Sequence, residues 1–139
     1  MFKILGVDHI GIAATDLKEV GAFWETLGLT STGEETVADQ KVTTGFYPTA
    51  NGAEIELLVA SEAGSPIEKF IENNKGRGGI QHIALRVDNL EQAIADLQEK
   101  GIRMIDTKPR KGAGGAMIAF LHPKSTHGVL LELCQRNNA

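Results

Sequence analysis

Two histidines and two glutamates stand at matching places in this sequence. His9 lies in the run Asp-His-Ile-Gly-Ile-Ala, and His82 lies in the similar run Gln-His-Ile-Ala-Leu-Arg. Later in each stretch, Glu56 and Glu132 interrupt an otherwise apolar segment. A carboxylate buried in an apolar strand is costly unless it is paired or bound to a cation. These acids therefore predict a polar or metal-binding site.

An internal repeat supports the idea that the four side chains act together. Residues 8–29 align with residues 81–102 without a gap. A single histidine on an apolar strand is most often a core residue, but two matching histidine and glutamate pairs favour a shared set of metal ligands. Two imidazoles and two carboxylates suit a divalent ion such as Co²⁺, Ni²⁺, Zn²⁺, Mn²⁺ or Fe²⁺. Four protein ligands would leave positions on an octahedral ion for water or for a chelating substrate.

The secondary structure expected around these residues is β-α-β-β-β in each copy. Each helix follows an Asp or Asn cap, carries apolar residues at helical spacing, and ends at Gly28 or Gly101. The expected strands lie at residues 4–14, just after Gly28, and at 36–48, 52–60, 102–106, 115–121 and 128–134. The chain is expected to form a single domain of residues 1–139. That domain would contain module 1 (1–62), a linker helix (65–74) and module 2 (79–135).

The composition excludes several classes of protein. Apolar residues make up 42% of the chain, and no run approaches the roughly 20 apolar residues of a membrane span. The N-terminal residues lack the apolar segment of a secretory signal, and Cys134, the one cysteine, has no partner for an internal disulfide. A cytoplasmic location is therefore expected. The second half is basic, but its charge and few aromatics suggest a small anionic ligand and not a nucleic acid.

Six segments resemble the vicinal oxygen chelate (glyoxalase I-like) superfamily, and within it the methylmalonyl-CoA epimerase family. They are residues 8–13, 65–70, 82–84, 109–115, 120–126 and 128–133. The Gly-Ala-Gly-Gly and His-Pro-Lys-Ser stretches of the last three point to the epimerase branch. The resemblance implies an α+β fold in which the paired β-α-β-β-β modules form a cupped, mostly antiparallel sheet. It also implies a homodimer.

The same resemblance implies a function and a set of ligands. The family uses a divalent metal, commonly cobalt, to interconvert (R)- and (S)-methylmalonyl-CoA through a metal-stabilised enolate. The implied metal ligands are His9, Glu56, His82 and Glu132. The position of Glu56 is glutamine in some members of the family.

Epimerisation requires a proton to leave one face of the substrate carbon and to return to the other. Glu132 is the first candidate base and Glu56 the second, with Gln40 or a bound water as lesser options. Some relatives carry a second glutamate where this chain has Thr44, and a threonine cannot act as a base at neutral pH. The second acid or base is therefore not fixed by the resemblance.

The phosphates of coenzyme A require cations, and four side chains beside the glycine-rich loop are available. These are Lys108, Arg110, Lys111 and Lys124. Two alternatives remain open from sequence: a glyoxalase I acting on a glutathione hemithioacetal, and a non-catalytic ligand-binding member of the superfamily. The same metal ligands would serve the first alternative, whereas members of the second kind generally lack them.

Overall fold

The computed structural model describes residues 1–137 and contains eight strands and three helices, arranged as two β-α-β-β-β modules joined by a helix. In the first module and the linker, the elements are β1 (Ile4–Ala13), α1 (Leu17–Thr26), β2 (Gly33–Val37), β3 (Val42–Pro48), β4 (Glu54–Ala60) and α2 (Pro66–Asn73). In the second module they are β5 (Gly79–Val87), α3 (Leu90–Glu99), β6 (Arg110–Lys111), β7 (Met117–Phe120) and β8 (Leu131–Gln135). This arrangement confirms the expected fold class.

The chain divides into two compact units, one of which is His9–Gln81. Within it the strand order is β2-β3-β4-β1, where β1 and β4 are parallel and the other two pairs are antiparallel. Helix α2 packs through the buried Ile67 on Ala13, Val42 and Leu58. These contacts remove apolar surface from water, which is the main favourable contribution to folding.

The other unit contains residues 1–8 together with the chain from His82 onward. Its strand order is β5-β8-β7-β6, again with one parallel pair, β5 and β8, followed by two antiparallel pairs. The apolar stripe of α3 provides the core of this unit. The buried residues of this core are Val87, Leu90, Ala93, Ile94, Met104, Ala119, Leu121 and Leu133.

Two of the expected strands differ from the structure. The stretch 36–48 is divided by a short 3-10 turn at Ala38–Gln40, after which Lys41 adopts a left-handed φ of 57°, a conformation no strand contains. The stretch 102–106 forms only an isolated bridge between Met104 and Leu121. The N–H groups of Ile105 and Asp106 both donate to the carbonyl of Phe120, so no regular ladder develops. The edge strand of this module is β6 instead.

The cap of helix α2 offers a test of local stability. The Ser65 side chain is fully buried, and its Oγ accepts a hydrogen bond of 3.1 Å from the Ile67 N–H. Substitution Ser65→Ala would leave that donor unsatisfied, so we expect a loss of about 1 kcal/mol in the free energy of unfolding. Urea denaturation monitored by circular dichroism measures this loss. Ser61→Ala on the surface is the control, and equal stability of S65A and S61A would contradict the prediction.

Candidate functional site

The first histidine and glutamate pair lies on two parallel strands of the unit His9–Gln81. His9 is on β1 and Glu56 is on β4, and His9 Nδ1 is 3.4 Å from Glu56 Oε2. Both residues are buried, with 5% and 3% of their surface exposed. The pair is therefore a buried polar contact between two strands.

The second pair has the same construction in the other unit. His82 is on β5 and Glu132 is on β8, and His82 Nε2 is 3.5 Å from Glu132 Oε1. These residues are also buried, with 6% and 4% exposed. Each unit therefore brings the histidine and the glutamate of one sequence copy into contact.

The strand register explains why the two pairs look alike. Glu56 lies opposite Gly11 and Glu132 lies opposite Ala84, so each acid faces the residue two positions after its histidine. Residues two apart on a strand share a face, and directly paired residues on neighbouring strands do too. The small residue between histidine and acid leaves room above the sheet. The repeat in sequence is thus a repeat in register.

Each acid also has a phenylalanine on its other side, which the sequence analysis did not identify. Phe46 on β3 pairs with Glu56, and Phe120 on β7 pairs with Glu132. The Phe120 ring meets the His82 ring edge-on, with centroids 5.5 Å apart. The phenylalanines therefore place apolar surface beside each polar pair. Their equivalent positions in the two modules are the signal that could have identified them.

The donor atoms fit a divalent metal. Two ligands that each lie ~2.1 Å from one ion stand about 3 to 3.5 Å apart, and the nitrogen–oxygen distances of 3.4 and 3.5 Å fall in this range. Imidazole and carboxylate donors suit Co²⁺, Ni²⁺, Zn²⁺ and Mn²⁺. Each unit consequently presents one histidine and one glutamate that could hold an ion.

An ion cluster around the buried Asp8, the residue before His9, was not predicted from the sequence. Asp8 is fully buried and accepts hydrogen bonds from two guanidinium groups, those of Arg86 and Arg136. Arg136 engages both carboxylate oxygens, with Nε–Oδ2 at 2.7 Å and Nη2–Oδ1 at 2.9 Å. Arg136 Nη1 also donates to the carbonyl of Gly114. The cluster thus connects the residue before His9 to the glycine-rich loop.

Cys134 lies beside this cluster as a free, fully buried thiol. Burial raises the pKa of the thiol far above its usual range, and the nearby negative charges of Asp8 and Glu132 raise it further. Only the thiolate is an effective nucleophile. The side chain is therefore a packing residue.

The four cations expected to contact coenzyme A do not share one position. Arg110 is half-buried on β6, and its neighbour Lys111 points to the opposite face of the strand because strand residues alternate. Lys108 is exposed in the preceding loop, and Lys124 is exposed in the turn Pro123–Ser125. Arg110 contacts a residue beside the histidine and glutamate pair, since its Cζ lies 5.8 Å from the centre of the Phe120 ring.

The other positions considered for an acid or a base, Thr44 and Gln40, lie on or just before β3. Thr44 is buried on β3 with 2% exposure, opposite Leu58 and one strand away from Glu56. Gln40 ends the 3-10 turn that precedes β3. Glu56 directly contacts a candidate metal ligand of its unit, His9. None of the helices within residues 1–137 is long and apolar enough to cross a membrane.

Comparison with known proteins agrees with this geometry. Residues 8–120 match the Glyoxalase/Bleomycin resistance protein/Dioxygenase superfamily. The chain is 41% identical over 130 residues to the uncharacterized protein YqjC of Bacillus subtilis, covering 93% of this chain and 91% of that protein. It is 38% identical over 131 residues to the ethylmalonyl-CoA/methylmalonyl-CoA epimerase of Cereibacter sphaeroides, covering 93% and 96% of the two proteins.

A solved structure extends the likeness to the whole fold. A variant of Streptomyces coelicolor methylmalonyl-CoA epimerase, in complex with 2-nitronate-propionyl-CoA, superposes with a TM-score of 0.90 at 33% sequence identity. The match covers 98% of this chain and 100% of that one.

Proposed function

Since this chain belongs to the methylmalonyl-CoA epimerase family of the glyoxalase (vicinal oxygen chelate) superfamily, we propose that it is a metal-dependent isomerase. Its reaction would interconvert (R)- and (S)-methylmalonyl-CoA by transfer of the α-proton. The observation that carries the proposal is the pair of buried histidine and glutamate contacts in identical strand register. The acyl-CoA ligand bound by the Streptomyces coelicolor enzyme supports a CoA thioester as substrate.

The proposed metal ligands are His9, Glu56, His82 and Glu132. That both pairs bind the same ion is supported by the sequence repeat and by the family, and cobalt is the proposed metal. A divalent cation held there would supply Lewis-acid stabilisation of the negative charge that develops on the substrate oxygens. Metal analysis of the purified protein tests the identity of the ion.

The chain's own carboxylates would then move the proton. Glu132 accepts the α-proton from one face of the substrate carbon, whose electron pair delocalises onto the thioester oxygen. Glu56, in its protonated form at the start of this turnover, gives its proton to the other face; the weakly acidic hydroxyl of Thr44 in the neighbouring strand could not take this role. Both acids are buried, with 3% and 4% of their surface exposed, and the low water content around them strengthens electrostatic interactions in the site.

Proton NMR of methylmalonyl-CoA in deuterium oxide tests the proposed function. Metal-loaded protein is expected to wash out the α-proton, and an EDTA-treated sample is expected to be inactive until metal is restored. Turnover of the hemithioacetal of methylglyoxal without washout would identify a glyoxalase instead. Inactivity toward both substrates would leave a ligand-binding protein.

Two further parts of the proposal concern the assembly and the compartment. We propose a homodimer, supported by the family and by the exposed apolar residues Ile4, Leu5 and Val7 on β1. Light scattering coupled to gel filtration tests the subunit number. A cytoplasmic location is proposed from the single cysteine and the CoA ester substrate, and fractionation of the source cells tests it.

A further inference from the structure

Arg110 is placed on the same face of its unit as the second histidine and glutamate pair. It pairs with Ile118 across β6 and β7, and Ile118 shares a face with Phe120, which pairs with Glu132. The contact between the Arg110 guanidinium and the Phe120 ring agrees with this register. The Phe120 ring therefore contacts both Arg110 and His82.

Asp106 forms an ion pair with Arg110. Asp106 Oδ1 lies 3.0 Å from Arg110 Nε, while Oδ2 accepts a hydrogen bond of 2.8 Å from the Phe120 N–H. One carboxylate thus lies beside both the guanidinium and the backbone of Phe120. Within residues 1–137, no hydrogen bond engages the two terminal nitrogens of Arg110, and 40% of the side chain is exposed. A guanidinium with two available terminal nitrogens suits a planar carboxylate.

The two modules differ at this position. In the first module the register-equivalent residue is Glu35, which faces Thr44 as Arg110 faces Ile118. The two modules repeat the histidine, the glutamate and the phenylalanine but not the charge on the outer strand. A substrate with an anionic group at one end would be oriented by such a difference.

We infer that Arg110 binds the free carboxylate of the substrate acyl group and so selects CoA thioesters of dicarboxylic acids over those of neutral acids. This inference rests on the proposed function for the identity of the thioester. It replaces the expectation that Arg110 contacts the phosphates of coenzyme A.

Binding measurements with two ligands separate these roles. Malonyl-CoA carries the free carboxylate, whereas propionyl-CoA has the same coenzyme and no carboxylate. Titration calorimetry of metal-loaded protein is expected to show that Arg110→Gln raises the dissociation constant of malonyl-CoA about 10- to 100-fold, the size of a charge-assisted contact. The dissociation constant of propionyl-CoA should change by about twofold or less. Arg103→Gln, which removes an exposed arginine of the same unit, is the matched control.

The outcomes distinguish the inference from the proposed function. If R110Q bound both ligands equally more weakly, Arg110 would contact the coenzyme. If the binding of both ligands were unchanged, Arg110 would not belong to the site. Either result overturns the inference. Arg110→Lys, which keeps the charge and the alkyl stem over Phe120, should weaken malonyl-CoA alone and serves if R110Q does not fold. Because binding is measured without turnover, a selective loss would stand even if the wild-type protein failed to exchange the α-proton.

Discussion

Glu132→Gln is expected to reduce α-proton exchange of methylmalonyl-CoA by about 1,000-fold or more. The amide keeps the shape of the side chain on β8 but has no basic oxygen that could accept a proton, and general-base catalysis contributes roughly 10²- to 10⁴-fold. Deuterium incorporation followed by NMR at saturating metal measures the loss. Metal content, determined on the same samples, separates the role of base from the role of ligand.

The matched control for this prediction is Glu99→Gln, which makes the same chemical change at an exposed position at the end of α3. E99Q should exchange the proton at the wild-type rate. Retained exchange in E132Q would refute Glu132 as a base and would transfer that role to Glu56. Full restoration of E132Q by added metal would show that the residue acts only as a ligand.

The second large effect is expected from Asp8→Ala. The carboxylate is fully buried, whereas the side chains of Arg86 and Arg136 are 28% and 20% exposed. Removal of the acid would leave two partly desolvated guanidiniums beside each other, so we expect a loss of about 3 kcal/mol in the free energy of unfolding. Urea denaturation at neutral pH measures it.

Asp39→Ala removes an exposed acid and is the control for D8A, since it should change stability by less than about 0.5 kcal/mol. A D8A protein as stable as D39A would mean that water solvates the two arginines adequately. The further substitution of Arg86 and Arg136 by methionine in D8A should recover part of the lost stability, because apolar replacement of a whole buried ion cluster is often tolerated.

The parts of the fold that the sequence predicted are those encoded by local pattern and by repetition. The helices followed from apolar spacing and from caps such as Asp16, whose Oδ1 accepts the Glu19 N–H at 2.8 Å. The repeat indicated that the two histidine and glutamate pairs would be placed alike, because two copies of one module place equivalent residues equivalently. The sharing of one ion between the pairs stays a prediction.

The parts that the sequence did not predict depend on long-range contacts. Asp8, Arg86 and Arg136 lie far apart in the chain, and a charged residue in or beside a strand gives no indication of its partner. The strand predicted at 102–106 does not form, because the carboxylate and the N–H of Asp106 both bind the backbone of Phe120. The side chains of Arg110 and Lys111 point to opposite faces of β6. The sequence did not predict this because a strand of only two residues gives no recognisable alternating pattern.

The buried thiol of Cys134 allows the opening of the folded protein to be measured by chemical labelling. Since it is the one cysteine in the chain, alkylation by iodoacetamide has a single target, and the folded protein hides it in the middle of β8. Modification then requires this strand to open, and the labelling rate under native conditions measures how often it does so. Mass spectrometry of labelled D8A would reveal whether loss of the ion cluster loosens β8 locally or the molecule as a whole.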